Sequence, residues 1–170
     1  MAQTLTIATD VAGGSNAHIR AILTKIQLFF TTMLLNTGGL AIKAGGSALA
    51  KTVNTVRFLV AGNLYSKAAA DCAALVGTIT NAKFNVYCFF VDTAGTMTTA
   101  MGTEGATLAD VVFPAYDNST KCMLGFVIIN PTGTGNFVGG TTVLDDATVV
   151  PNAVYVDRVG PFDPTNLVTL

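Results

Sequence analysis

Few residues in the chain combine a type and a spacing that chemistry could use. His18 is the only histidine, and neither a second histidine nor a cysteine stands near it in sequence. At the start of a helical pattern it reads as a cap or a surface group, and a Cys/His nucleophile pair would have to form across the fold. Cys72, Cys88 and Cys122 are odd in number and contain no Cys-x-x-Cys, so they suggest neither a disulfide framework nor a zinc knuckle. Cys88 sits inside one apolar strand pattern and Cys122 near the start of another, where thiols behave as small hydrophobes. Asp145-Asp146 with Asp157 or Asp163 could offer oxygen to a hard cation. A calcium loop, however, places its ligands at alternate positions around a glycine turn, and that spacing is absent.

Three further motifs give way to simpler structural readings. Asp92-Thr93-Ala94-Gly95 departs from an Asp-Thr-Gly carboxylate loop by the inserted Ala94 and reads as a hairpin turn. The glycines from Gly133 to Gly140 would need a helix directly after them, usually opened by Lys-Ser/Thr, to cradle a phosphate. Thr141-Thr142-Val143-Leu144 follows instead and reads as a strand, which leaves a flexible β-loop. Asn118-Ser119-Thr120 matches a glycosylation sequon, but no secretory signal accompanies it. The residues therefore predict no catalytic, cofactor-binding or metal site, no cofactor and no enzymatic activity.

The elements that carry these residues fall into two kinds. From His18 to Asn36 a helical period appears: Arg20, Thr24, Gln27 and Thr31 form a polar stripe. Ile22, Ile26, Phe29 and Met33 lie opposite, with Ile19, Leu23 and Phe30 widening the apolar arc, and Asn36-Thr37-Gly38-Gly39 stops the run. One helix of about 18 residues is expected there, although Thr31-Thr32 and the two phenylalanines leave a strand reading open. Beyond Gly39, short runs rich in Val, Phe, Tyr and Thr alternate with Gly, Asn, Asp and Pro clusters, the pattern of an all-β sandwich or barrel. Expected strands are 40–43, 47–53, 56–61, 64–66, 84–92, 97–100, 123–130, 154–157 and 141–144. Ala68 to Val76 is Ala-rich and predicts a short second helix. Gly160-Pro161-Phe162-Asp163-Pro164 predicts an extended tail. The expected organisation is a mainly β fold of about eight short antiparallel strands, with an N-terminal arm over 1–50, a β-sandwich over 51–160 and a tail over 161–170.

Charge is scarce. Of 170 residues, 51% are hydrophobic and 11% charged, against about 25% charged in a typical soluble domain. Such a chain is too hydrophobic for a disordered regulator. Its net charge of −1 supplies no field for phosphates, so nucleic acid is not an expected partner. The segment from Ile19 to Leu35 is apolar but carries Arg20, Lys25 and Gln27 and is too short to span a bilayer, so no membrane association is expected. The residues before it have no basic leader, which predicts folding in the cytoplasm. A surface this poor in ions predicts a large subunit interface, where charge is depleted. What charge exists is segregated: residues 1–70 carry six bases and one acid, and residues 71–170 carry three bases and nine acids. The two halves are expected to face different neighbours.

Several short motifs also occur in a familiar order. They are Val60-Ala61-Gly62-Asn63-Leu64-Tyr65-Ser66-Lys67-Ala68-Ala69, Phe89-Phe90-Val91-Asp92-Thr93-Ala94-Gly95-Thr96, Gly102-Thr103-Glu104, Leu124-Gly125-Phe126-Val127-Ile128, Gly133-Thr134-Gly135-Asn136-Phe137 and Gly140-Thr141-Thr142. The stretch from Thr52 to Gly160 thereby resembles a small β-rich domain of tailed-bacteriophage virion proteins, including capsid decoration (cement) and head-fibre proteins. The resemblance implies a non-enzymatic homotrimer on the exterior of an icosahedral head, with the major capsid protein as partner. Residues 1–50 lie outside the resemblance; as a basic, partly helical arm they are expected to bind the capsid or lock the trimer, with Arg20, Lys25, Lys43 and Lys51 facing acidic capsid surface and Ile22, Ile26, Phe29, Phe30 and Met33 in the oligomer interface. The alternative it leaves is a head-fibre or tail-associated module that binds host glycans.

Overall fold

The computed structural model describes residues 17, 19–21, 23–24 and 30–161. Among them the fold is mainly β: eleven strands in antiparallel ladders, one helical segment and one 3-10 turn at Leu108–Asp110. In chain order the strands are β1 (Met33–Leu34), β2 (Leu40–Ile42), β3 (Ala50–Thr52), β4 (Val56–Val60), β5 (Asn63–Lys67), β6 (Thr78–Ile79), β7 (Asn85–Asp92), β8 (Met97–Met101), β9 (Lys121–Ile129), β10 (Phe137–Val138) and β11 (Val154–Asp157). A four-stranded sheet in the order β11-β9-β7-β8 packs against the smaller ladders β1-β4-β5, β2-β3 and β6-β10. The ladders do not close into a barrel, and one core drawn from all of them lies between the layers, as in a sandwich.

β7 explains the strongest apolar run in the sequence. Tyr87, Phe89 and Val91 point into the main core, while Val86, Cys88 and Phe90 point the other way into a second, smaller one. Val111, Phe113 and Tyr116 cover that second core, so both faces of the strand are dry. Burying each large apolar side chain contributes about 1.5–3 kcal/mol. In β9 the alternation breaks: Phe89 pairs with Gly125 but Phe90 with Met123, so Leu124 is the extra residue of a bulge. The bulge lets Cys122 and Leu124, then Val127 and Ile129, all face the main core. Gly125 has φ +155°, and a Cβ there would meet the Val156 carbonyl and Leu40 Cδ1 at 2.6 Å, so glycine is required at this position.

Four expectations are corrected. Ala17, Ile19, Arg20, Ala21, Leu23, Thr24, Phe30 and Thr31 are helical, but the chain leaves the helix at Thr32 and Met33–Leu34 pairs with β4. The helix expected to run to Asn36 therefore ends earlier, because Leu34 is worth more in the core, at 1% exposure, than in a final helical turn. Residues 68–76 are not helical. Backbone bonds between Thr52 and Ala70 and between Cys72 and Ala50 hold this segment extended beside β3, and Cys72 and Leu75 enter the core. Tertiary pairing overrides alanine propensity here. Residues 141–144 form turns, and the strand lies earlier, at β10, where Phe137 is fully buried. Finally, Leu34, Leu40 and Ala50 belong to the main core, so the β-domain includes residues from Thr32 onward instead of starting at 51.

Candidate functional site

The chemistry-bearing residues are placed in structural roles. Asp92 Oδ1 accepts from the Ala94 and Thr96 amides at 2.9 and 2.8 Å and closes the β7–β8 hairpin. Asp145 accepts from the Gly46 amide at 3.0 Å, Asp146 from the Thr148 amide at 2.8 Å and Asp157 from the Leu40 amide at 2.9 Å. Each carboxylate thus satisfies a different stretch of backbone. No three metal-ligating side chains gather among the described residues. His18 and Asp163 lie outside those residues. Cys72, Cys88 and Cys122 are free and buried, and desolvation pushes each thiol up to about 12, helped at Cys72 by Asp71. Such thiols are poor nucleophiles at neutral pH.

The glycine-rich segment is docked rather than loose. The Gly139 amide donates to the Gly77 carbonyl at 2.8 Å, and the Val138 amide to Thr142 Oγ1 at 2.9 Å. A Cβ on Gly133 would overlap the Thr148 carbonyl, and one on Gly139 would sit 2.9 Å from the Leu75 backbone. These glycines allow close packing of backbone on backbone, a requirement no side chain meets.

One cleft of about 390 Å³ opens between β2, β11 and the loop before β11, lined by Ile42, Leu144, Asp145, Val150, Pro151 and Tyr155 among others. The Tyr155 hydroxyl is buried without a hydrogen-bond partner. Burial pushes its pKa up to about 12, with Asp145 and then Cys72 adding to the effect.

The surface carries the stronger signal. Arg57 and Leu59 have opposite parity to Val56, Phe58 and Val60 in β4, so they lie on the face of the β1-β4-β5 sheet turned away from the core. Met33 pairs with Leu59, and Leu59 with Leu64, placing three apolar side chains in one row across three strands. Leu64 is 65% exposed and Leu35 42%. Leu35 stands beside Arg57, to whose carbonyl its amide donates at 2.8 Å. Phe30, near the end of the helix, is 57% exposed. The β4–β5 hairpin tip is tied there, because the Gly62 amide donates to the Thr31 carbonyl at 2.8 Å and the Ala61 amide to Thr32 Oγ1 at 3.1 Å.

Of the expected interface residues, Met33 is brought to this face, Phe30 is exposed near the helix end, and Ile22, Ile26 and Phe29 lie outside the described residues. Met33 arrives there on a strand instead of a helix. Leu35, Leu59 and Leu64 were not anticipated. Their signal was present, since β4 is apolar at both parities and the two-residue turn at Ala61-Gly62 sets Leu64 opposite Leu59. Of the expected basic residues, Arg20 is exposed on the helix and Lys25 lies outside the described residues. Lys43 and Lys51 meet around Asp71: Lys43 Nζ is 2.6 Å from its carboxylate, and Lys51 bridges to Asp71 through the backbone. The Lys43 pair is about half exposed, where such a contact is worth about 0–1 kcal/mol and opens readily. No helix among the described residues is long and apolar enough to cross a membrane.

Comparison with known proteins adds no relative to this picture: no family model, no curated protein and no solved structure matches the chain.

Proposed function

We propose that the chain is a structural virion protein that decorates and stabilises a bacteriophage capsid as a homotrimer. The observation that carries this reading is the apolar row Met33–Leu59–Leu64, continued by Leu35, on the outer face of a sheet whose inner face already fills the core. A contiguous apolar patch rimmed by polar residues marks an interaction surface. A chain only 11% charged has little other means of keeping such a surface soluble. The ordered motifs between Thr52 and Gly160 supply the phage context. The role needs no catalysis. A protein that binds only the assembled shell stabilises it by mass action, and Arg20, Lys25, Lys43 and Lys51 are the residues assigned to acidic capsid surface.

The glycan-binding alternative ranks second, because Phe30 is the only exposed aromatic among the described residues and the loops offer none to stack on a sugar. The first test is the solution mass of the full-length protein, expected at three times 17.5 kDa. The second is deletion of residues 1–30, the cut that spares β1 and the Thr31–Thr32 contacts to the hairpin tip. The truncated chain is expected to melt cooperatively and to fail to bind phage heads. A monomeric full-length protein, or normal decoration by the truncated one, would overturn respectively the assembly and the anchor.

A further inference from the structure

We infer that the trimer contact joins two different patches: the outer face of the β1-β4-β5 sheet on one subunit and the 104–117 loop on the next. This rests on the trimer reading above. Subunits around a threefold axis meet head to tail, whereas a self-complementary patch closes only a dimer. A trimer therefore needs two surfaces that fit each other, and the segregated charge of the chain supplies them.

The first patch is the row Met33–Leu59–Leu64 with Leu35, rimmed by the exposed Arg57 and lying in the half of the chain with six bases and one acid. The second is in the half with three bases and nine acids. There Leu108 and Val112 are 49% and 60% exposed, and Glu104, Asp110 and Asp117 stand within the same loop. The acids are held in place by their own neighbours. Glu104 accepts from the Thr80 amide and hydroxyl, both at 2.9 Å, and Asp110 from the Thr107 amide and hydroxyl at 3.1 and 2.8 Å. Asp117 accepts from the Ser119 amide and hydroxyl at 2.9 and 2.6 Å. These bonds favour the ionised form of all three; Lys83 near Glu104 and Asp110, and Lys121 near Asp117, add to the effect, so three acids stand against two bases at this loop.

Each patch has an apolar centre; Arg57 borders the first, and at the second Glu104, Asp110 and Asp117 outnumber Lys83 and Lys121. Each therefore accepts the other and repels its own kind. Val76 and Val138, also exposed, lie in stretches (73–82 and 132–144) that contain no charged residue. They lack any means of choosing a partner by sign.

Cysteine cross-linking tests the pairing on the full chain. The native thiols are buried and shifted to about 12, so cysteines introduced at exposed sites react alone. Leu64→Cys, Val112→Cys and the double variant are oxidised side by side, after the mass of the unmodified protein is measured. Each single variant is expected to give no covalent oligomer, and the double variant to give covalent dimers and trimers. Leu35→Cys with Leu108→Cys is an independent second pair should either first variant fail to fold. Cross-linking of Leu64→Cys to itself, or none in both double variants, would overturn the pairing while the trimer stands. A monomeric starting protein would instead remove the trimer reading beneath it.

Discussion

Replacing Leu64 by aspartate separates folding from assembly. Leu64 is already 65% exposed in the single chain, so the substitution takes little from the core and should leave the monomer's melting temperature within a few degrees. In the proposed ring the same side chain would be buried. Covering two thirds of a leucine that is worth about 2–3 kcal/mol when fully buried contributes about 1.5 kcal/mol per contact. A carboxylate placed there is desolvated opposite Glu104, Asp110 or Asp117, which costs at least as much again. The total of about 3 kcal/mol corresponds to about a hundredfold weaker association at each contact. Sedimentation or light scattering over a dilution series reads this directly, with Leu64→Asp monomeric at concentrations where the unmodified chain is trimeric. Leu64→Lys should weaken association less, because its ammonium meets acids. Phe58, on the opposite face of the same hairpin, is the control: it is 1% exposed and stacks on Tyr65 at 5.7 Å between ring centroids. Phe58→Ala should cost about 3–5 kcal/mol of folding stability. An unchanged association constant for Leu64→Asp would refute the assignment of this face.

Two further outcomes follow from the packing. Gly133→Ala places a methyl group on the Thr148 carbonyl; the 133–140 segment must then move off the core, and a loss of about 3 kcal/mol or more is expected, lowering the thermal midpoint by about 6–12 °C. The three thiols titrate only on unfolding. Because their folded pKa values are raised from the usual 9.0 to about 12, their protonated forms favour the folded state. That contribution is complete below pH 9 and is lost as pH rises through 12, by at most about 1.4 kcal/mol per pH unit per thiol. Denaturation midpoints between pH 8 and 11 should fall accordingly, and thiol-reactive dye should label the protein at pH 8 only in denaturant. Rapid labelling of the folded chain would show that the cysteines are not where the core places them.

The parts of the fold that were legible in the sequence are those in which local pattern and tertiary environment agree. Val154–Asp157 and the hairpin strands around Gly62 and Gly95 were readable because turn residues punctuate them and their apolar content is local. β7 was readable because a strand buried on both faces keeps a continuous apolar run. Residues 68–76 and 141–144 were not, since what fixes them is distant. The first is held by β3 and the second by the docking of Gly139 on Gly77, and neither contact leaves a period in the chain. β1, β6 and β10 have two residues each, too short for any alternation to register. Asp92–Gly95 was read as the hairpin turn it forms, yet the apolar face at Leu35, Leu59 and Leu64 depends on register across three strands, which no single stretch of sequence contains.

The division of β4 into two faces connects the composition to the proposed role. A half-buried antiparallel strand alternates apolar and polar residues, and β4 does so only at Arg57; Leu59 breaks the rule on the outer side. In β9 the same breach has an internal cause, because the Gly125 bulge and the second core absorb the extra apolar residues. Leu59 and its cross-strand neighbour Met33 are half-buried on that face, and Leu64, opposite Leu59 in β5, is exposed. Apolar residues at one register position across β1, β4 and β5 give the outer face of this sheet the row on which the proposed assembly rests. If the proposed trimer forms, the segregation of charge between the two halves of the sequence favours the acidic half of another copy as the partner of this row.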